Sequence, residues 1–169
     1  MFRIFLTTAI LFAFAPTVQA GGSHKDGYGH APENQLRSKP VGHPGEMANV
    51  QKTSNIIMTE TDEGDVVFEP NQLSVKTGTT VRFVIRNFGS LRHEFYLDSH
   101  QGVLEHKAEM DEDPSSMHEE PNLIHIDPGD RNEIVWTFTT PGEFEFACLI
   151  PGHYDDGMSG RIKVIDTNG

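Results

Sequence analysis

A cysteine, a histidine and a methionine follow one another at even intervals near the C-terminus. Four residues separate Cys148 from His153, and four more separate His153 from Met158. A thiolate, an imidazole and a thioether are soft ligands that together favour copper over hard divalent cations. A trigonal site needs one more imidazole, and we predict that His93 supplies it, because it opens a predicted strand just after a turn. The spacing therefore predicts a four-ligand copper site.

The four predicted ligands have different chemical roles. Cys148 binds as a thiolate, so its proton must leave, and the metal–sulfur bond couples the metal electronically to the protein. His93 and His153 would define the trigonal plane with the sulfur, and Met158 would be the weak axial ligand that tunes the reduction potential. Pro151 removes a backbone donor near the sulfur and stiffens the loop. A lone cysteine is more often a buried, inert side chain, but its ordered neighbours here favour a metal site.

Predicted β-strands must position these ligands. From about residue 55, short runs of β-branched and aromatic residues alternate with turn residues, which is typical of a sandwich or barrel. The run Thr80–Arg86 is the clearest, since Val81, Phe83 and Ile85 lie on one face. The pattern predicts an all-β sandwich with strands at Ile56–Thr61, Asp65–Phe68, Gln72–Val75, Thr80–Arg86, His93–Leu97, Leu123–Ile126, Glu133–Thr139, Glu143–Cys148 and Gly160–Ile165.

Other aromatic and histidine residues are assigned to the scaffold. Trp136 and Phe138 share one face of a predicted strand, so we expect them to fill the core. His125 lies in the alternating run Leu123–Ile126 and is interpreted as a strand histidine. His100 is interpreted as a surface residue. None of these residues is needed to complete the predicted copper site.

Residues 99–122 do not follow the strand pattern. The segment is long, acidic and compatible with a helix, and loops of this length are uncommon in compact domains unless they have a function. We interpret it as a long acidic insertion or lid. Thioether and imidazole side chains suit Cu(I), so a second copper site is a hypothesis for His106, Met110, Met117 and His118. The alternative is that these side chains only pack or are solvated.

Two segments precede the predicted compact domain, which spans residues 54–169. Residues 1–20 combine an early arginine, an apolar run and small residues, as in a cleavable secretory signal, which predicts export to the periplasm with cleavage after Ala20. Residues 21–53 are rich in Gly, Pro, His and charge, which predicts a disordered arm and compact structure from about Asn55. Beyond the signal, no stretch is apolar and long enough to cross a membrane. Weaker copper-ligand candidates in the arm are His24, His30 and His43.

The composition limits the classes of partner. The chain carries 13 basic and 25 acidic residues and a formal net charge of −12, so nucleic acid would have to approach against repulsion. Cys148 is the single cysteine, which excludes an internal disulfide framework. No heptad or apolar helix argues for assembly, so we expect a monomer. Its expected partners are the copper ion and a protein that exchanges electrons or copper with it.

The ligand-bearing segment resembles a known family. The string ACLIPGHYDDGMSGRIKV, together with His93 upstream, is similar to the copper loop and last strand of the cupredoxins, the plastocyanin/azurin family. The resemblance covers roughly Asn55–Asp166 and implies a Greek-key sandwich with one type 1 copper. Many members have Asn directly after the first histidine ligand, where it ties the two ligand loops together, and this chain has Glu94. The extra His and Met residues resemble those of small periplasmic cupredoxins associated with copper tolerance, CopI-like proteins among them.

Two functions and one exclusion follow from these observations. The first function is periplasmic copper tolerance, by binding copper and cycling its oxidation state. The second is mobile electron transfer between redox partners, for which one copper and a small body suffice. An enzyme is not expected, because oxidases of this kind commonly need His-x-His pairs, which the chain lacks, and a copper-bound cysteine is not a free nucleophile.

Overall fold

The computed structural model describes residues 41–114 and 119–166. The predicted signal, most of the predicted arm, and Met117 and His118 lie outside these ranges. The described elements are, in chain order, β1 (His43–Pro44), a 3-10 turn (Met47–Asn49), β2 (Lys52–Glu60), β3 (Val66–Glu69), β4 (Gln72–Lys76), β5 (Thr80–Asn87), β6 (His93–Asp98), α1 (His100–Glu112), β7 (Leu123–Ile126), β8 (Arg131–Thr137), β9 (Gly142–Ala147) and β10 (Ser159–Ile165).

The strands form two five-stranded sheets. The strand orders are β1-β8-β5-β2-β3 and β4-β10-β9-β6-β7. One pair in each sheet is parallel, β2 with β5 and β4 with β10, and the other pairs are antiparallel. Each predicted strand corresponds to an observed strand, from β2 to β10. The predicted β-sandwich is confirmed, with one α-helix added to it.

Aromatic side chains fill the interior between the sheets. Phe95 stacks on Phe146 with ring centroids 5.2 Å apart, and Phe68 meets both rings edge-on. Trp136 and Phe138 are fully buried, as predicted. The apolar residues of β5 are buried as well, which confirms the alternation seen in the sequence. This rigid interior lies directly behind the strands that carry the predicted ligands.

The compact structure begins earlier than predicted. Residues 41–53 belong to the predicted arm, yet β1 pairs with β8 and β2 already begins at Lys52. Val41 is fully buried, and its carbonyl oxygen accepts a hydrogen bond from the Trp136 indole nitrogen at 3.4 Å. The prediction of compact structure from Asn55 onward is therefore wrong for this stretch. Residues 41–53 are held in place by the pairing of β1 with β8, which is distant in the sequence. The local composition of the stretch does not indicate that pairing.

The helix α1 occupies the first half of the predicted insertion. Ser99 caps its N-terminus, because the Ser99 hydroxyl accepts a hydrogen bond from the Gly102 backbone nitrogen at 3.1 Å. Val103, His106 and Met110 lie on one buried stripe of the helix. The helix contacts β6 and β9, and every residue of β6 is buried. This half of the segment therefore packs against the sheet through one face of the helix.

Candidate metal centre

Three of the predicted ligands meet at one end of the sandwich. His93 is the first residue of β6, Cys148 directly follows β9, and His153 lies in the turn between β9 and β10. The two histidine Nδ1 atoms are 3.2 Å apart. The Cys148 Sγ atom lies 3.3 Å from the His153 Nδ1 atom and 3.9 Å from the His93 Nδ1 atom. Within residues 41–114 and 119–166, this is the one cluster of three or more His, Cys, Asp or Glu residues arranged to hold a metal.

The triangle has the size that a trigonal metal site requires. With metal–nitrogen bonds of about 2.0 Å and a metal–thiolate bond of about 2.3 Å, as for zinc, angles of 120° separate the nitrogens by about 3.5 Å and nitrogen from sulfur by about 3.7 Å. The observed edges of 3.2, 3.3 and 3.9 Å lie close to these values. The donor set of one thiolate and two imidazoles suits copper. The side chains therefore fit the metal that the sequence predicts.

The Met158 backbone is hydrogen-bonded to two residues of this triangle. Its backbone nitrogen donates to the His153 carbonyl oxygen at 2.9 Å, and its own carbonyl oxygen accepts from the Cys148 nitrogen at 3.1 Å. Its side chain is fully buried in the same apolar cluster as Cys148. Gly152 and Gly157 have positive φ angles of 93° and 94°, which let the loop turn tightly enough to close these bonds. The loop between Cys148 and Met158 thus folds back so that its two ends are hydrogen-bonded to each other.

The sulfur atom is buried and has a backbone donor. Cys148 is fully buried, and its Sγ atom accepts a hydrogen bond from the Glu94 backbone nitrogen at 3.3 Å. Burial raises the pKa of the Cys148 thiol to about 12 because it penalises the charged form. A metal must therefore displace the thiol proton when it binds. The Glu94 amide then remains as a donor to the thiolate.

Glu94 ties the two ligand loops together. Its side chain is fully buried, and its Oε2 atom accepts a hydrogen bond from the Leu149 backbone nitrogen at 3.2 Å. That contact joins the residue after His93 to the residue after Cys148. Glu94 therefore makes the connection for which many family members use Asn. Burial also raises the pKa of the Glu94 carboxyl, because desolvation disfavours the carboxylate.

A carboxylate that the sequence analysis missed orients His93. The Glu60 Oε1 atom lies 3.2 Å from the His93 Nε2 atom, on the side of the ring opposite the ligand triangle. The Glu60 Oε2 atom accepts from the Ser90 backbone nitrogen at 2.7 Å and from the Ser90 hydroxyl at 3.1 Å. A carboxylate behind a ligating imidazole fixes both its tautomer and its orientation. Glu60 is 33 residues upstream, and an acidic residue at the end of a strand carries no distinguishing signal in the sequence.

Both histidines of the triangle are held neutral. Burial lowers the pKa of His93, although the Glu60 carboxylate opposes that effect. Burial also lowers the pKa of His153, and the neighbouring His93 lowers it further. Neutral imidazoles are the form that binds metal. At neutral pH the two nitrogens are therefore ready to coordinate, and the thiol supplies the proton that binding releases.

Two residues of the predicted second copper site, His106 and Met110, lie within the described part of the chain. His106 and Met110 are both buried on α1. The His106 ring stacks on the Tyr96 ring, with centroids 4.4 Å apart and 9° between the planes. Met117 and His118 lie outside the described residues, so this site stays a prediction. The stacking gives His106 a clear packing role in the contact between helix and sheet.

Two further histidines are found in the contexts that the sequence indicated. His125 lies in β7, as predicted. His100 is a surface residue with a side chain that is 68% exposed, and its Nδ1 atom lies 2.8 Å from the Glu145 Oε2 atom. The position of His125 opposite Glu94 was not predicted, because strand register is not visible in the local pattern.

Comparison with known proteins identifies the family. The sequence profile described as copper binding proteins, plastocyanin/azurin family, matches residues 55–165. The chain belongs to this family, and its cofactor is copper. The predicted resemblance is thus confirmed over most of the described residues. The described residues contain no helix that is long and apolar enough to span a membrane.

The chain is similar to individual copper proteins over most of its length. The chain is 40% identical over 152 residues to the copper-resistant cuproprotein CopI of Rubrivivax gelatinosus, covering 89% of this chain and 90% of that protein. It is 35% identical over 163 residues to the copper-resistant cuproprotein CopI of Pseudomonas aeruginosa, covering 79% of this chain and 87% of that protein. Among solved structures, auracyanin B has a TM-score of 0.59 at 18% identity, covering 76% of this chain and 99% of that chain. This last similarity shows a common fold alone.

Proposed function

We propose that this protein binds one type 1 copper ion through His93, Cys148, His153 and Met158 and contributes to copper tolerance in the periplasm. The observation that carries the ligand assignment is the triangle of Nδ1, Nδ1 and Sγ atoms, with edges of 3.2, 3.3 and 3.9 Å. Copper at such a site exchanges one electron between Cu(I) and Cu(II). The names of the two CopI relatives support copper resistance as the biological role.

Each protein group has a defined role in this proposal. Cys148 gives up its thiol proton and binds as thiolate, while the Glu94 amide stabilises the negative sulfur. His93 is held by Glu60 and stays in one orientation through a change of metal charge. The buried Met158 side chain would supply a fourth, weaker thioether ligand. Because these groups are packed into a rigid core, little rearrangement is needed when an electron arrives or leaves.

An enzymatic role is not part of the proposal. The two CopI relatives are named cuproproteins. The chain contains no His-x-His pair from which a further copper cluster could be built. Its single cysteine is assigned to the metal and is therefore no free nucleophile.

Spectroscopy of the copper-loaded protein tests the ligand assignment. With one equivalent of Cu(II), we expect an intense visible charge-transfer band and a narrow copper hyperfine splitting in the electron paramagnetic resonance spectrum. Both features should disappear in Cys148→Ser. His100→Ala is the matched control, because His100 is an exposed histidine that is not among the proposed ligands, and it should leave both unchanged. A weak spectrum that is the same in wild type and Cys148→Ser would contradict the assignment.

Growth tests the biological role separately. A strain that lacks the gene should become copper-sensitive, and the wild-type gene should restore growth while Cys148→Ser should not. Normal growth of the deletion strain in high copper would contradict copper tolerance and leave the proposed ligand assignment unaffected. The two tests therefore fail independently.

Exposed apolar side chains near the site support electron transfer as the second candidate function. Phe88 and Leu91 are 63% and 46% exposed in the turn just before His93. Pro151 is exposed in the loop that carries the partly exposed His153. A small apolar surface around an accessible ligand suits brief docking of a redox partner. Fast electron exchange with a partner protein, slowed in Phe88→Ser, would favour this function over tolerance.

A further inference from the structure

A cavity of about 200 Å³ lies beside the proposed copper site, on the opposite face of β6. Glu94, Met110 and His125 line it with a carboxylate, a thioether and an imidazole. Its remaining wall includes Pro114, Ile150 and Pro151. The three polarisable or charged groups come from three different elements, β6, α1 and β7. The fold thus brings together donors that no local sequence motif contains.

Strand register places two of these donors opposite each other. Glu94 and His125 are direct partners in the antiparallel pair of β6 and β7, so their side chains project from the same face of the sheet. The His125 Nδ1 atom lies 3.4 Å from the Glu94 Oε1 atom. A metal that binds both atoms at about 2.0–2.1 Å separates them by about 2.9 Å at the right angle of a tetragonal Cu(II) site and by about 3.4 Å at a tetrahedral angle. The observed spacing is therefore that of two ligands to one ion.

Each of the two side chains has one polar atom without a hydrogen-bond partner within the described residues. The Glu94 Oε1 and His125 Nε2 atoms are buried and make no hydrogen bond there, and the whole Glu94 side chain is fully buried. An unsatisfied buried polar atom costs about 1–3 kcal/mol, and more when it is charged. A bound cation would satisfy the Glu94 oxygen and neutralise the carboxylate. Glu94 and His125 thus line one cavity, and the Glu94 Oε1 atom, which lies near the His125 Nδ1 atom, accepts no hydrogen bond within the described residues.

Solvent reaches the cavity, and the arginine that lines it forms an ion pair with an aspartate. The His125 side chain is 23% exposed, so an ion can reach the imidazole from solvent. Arg92 also lines the cavity, but its Nε atom lies 3.4 Å from the Asp127 Oδ1 atom. That ion pair reduces the repulsion that Arg92 would exert on an incoming cation.

We propose that this cavity binds a second copper ion, Cu(II), with His125 and Glu94 as ligands and Met110 as a third, weaker donor. Imidazole and carboxylate donors suit Cu(II), and copper leads the divalent first-row metals in affinity for such sites. The choice of copper rests on the proposed function of the chain. The site shares only Met110 with the sequence-based hypothesis, because His106 packs against Tyr96.

The two copper sites are coupled through Glu94. Its backbone nitrogen donates to the Cys148 Sγ atom, and its Oε2 atom accepts from the Leu149 nitrogen. A metal on Oε1 therefore acts on a residue that already contacts the thiolate of the first site. Because coupling between sites is reciprocal, occupation of the cavity should shift the spectrum of the first copper, and the first copper should alter the affinity of the second.

Titration of the full chain with copper tests the second site. The first equivalent of Cu(II) fills the type 1 site, which the visible charge-transfer band reports. A second equivalent should then produce an electron paramagnetic resonance signal with a wide hyperfine splitting. In His125→Ala and Met110→Leu the second dissociation constant should rise, by on the order of tenfold or more for the histidine. His100→Ala, which removes an exposed histidine, should bind the second ion as wild type does.

Several results would overturn the second site. It is wrong if wild type takes up only one ion, or if wild type, His125→Ala and Met110→Leu bind the second ion equally, since that ion would then lie elsewhere in the chain. An intact charge-transfer band in His125→Ala shows that the variant is folded, and Met110→Leu supplies a conservative second variant if it is not. Absence of the band from wild type would instead contradict the type 1 assignment. The two failures are therefore distinguishable.

Discussion

Replacing Glu60 by glutamine should raise the reduction potential of the copper site. The Glu60 carboxylate faces the His93 Nε2 atom at 3.2 Å, behind the ring whose Nδ1 atom faces the ligand triangle. A negative charge there stabilises Cu(II) more than Cu(I), which lowers the potential. Glutamine retains an oxygen that can accept the His93 hydrogen bond and removes only the charge. Glu60→Gln therefore isolates the electrostatic contribution.

The size of the effect follows from the distance across the ring. With a metal–nitrogen bond of about 2.0 Å, the carboxylate would lie about 7 Å from a metal bound to the His93 Nδ1 atom. One unit charge at that distance contributes about 0.6 kcal/mol in water and about 2.4 kcal/mol at an effective dielectric constant of about 20. Because the Glu60 side chain is 22% exposed, solvent screening favours the lower part of this range. About 0.6–1.5 kcal/mol corresponds to about 25–65 mV for one electron.

Protein-film voltammetry or redox titration of the charge-transfer band measures this shift. Glu143→Gln is the matched control, because Glu143 lies at the end of β9 that is remote from Cys148 and its removal changes net charge equally. The shift in Glu60→Gln should shrink as ionic strength rises, since the carboxylate is partly exposed. A potential equal to that of wild type, or a decrease, would refute the electrostatic role of Glu60. An equal rise in Glu143→Gln would show that net charge alone is responsible.

Four other predictions concern the thiol and the core. In the metal-free protein, burial raises the pKa of Cys148 to about 12, so iodoacetamide at pH 8 should modify it on the order of 100-fold more slowly than in urea, and equal rates would contradict this. The same shift stabilises the folded metal-free protein below pH 9.0, and this stability should be lost as the pH rises toward 12 in urea titrations. Gly160→Ala should destabilise the fold by about 1–3 kcal/mol in urea unfolding, because its Cβ atom would overlap the buried Phe146 ring. Phe95→Ala should cost about 3–5 kcal/mol by the same assay, and a loss below about 1 kcal/mol would show that the aromatic cluster can collapse into the space.

The strands could be predicted because alternation of apolar residues is a local sequence pattern. The ligand triangle could be predicted because two of its residues have a fixed spacing on one loop. Period-two alternation marks β5 through Val81, Phe83 and Ile85, and the structure buries all three. The spacing of Cys148 and His153 places both on one loop, and only His93 had to be chosen from a distant strand. That choice was physically constrained, because a sandwich brings strand ends together.

The supporting residues could not be predicted because they depend on register and on packing between distant segments. Glu60 meets His93 across 33 residues of sequence, and nothing in the turn between them marks that contact. Val41 enters the core through a two-residue strand whose neighbours have the composition of a disordered arm. Contacts of this kind are set by the whole fold rather than by any window of the sequence.

Glu94, at the position where many family members have Asn, places a buried carboxyl group beside the copper site. Either side chain offers an oxygen to the Leu149 nitrogen, so the connection between the ligand loops alone gives no reason for a carboxylate. A carboxylate adds a charge, and α1 covers that face of β6 so completely that Glu94 is fully buried. An unpaired buried charge is strongly destabilising, so the carboxyl group must hold a proton or share its charge with a cation. The imidazole of His125, which lies across the strand pair at 3.4 Å, is where such a cation would be held.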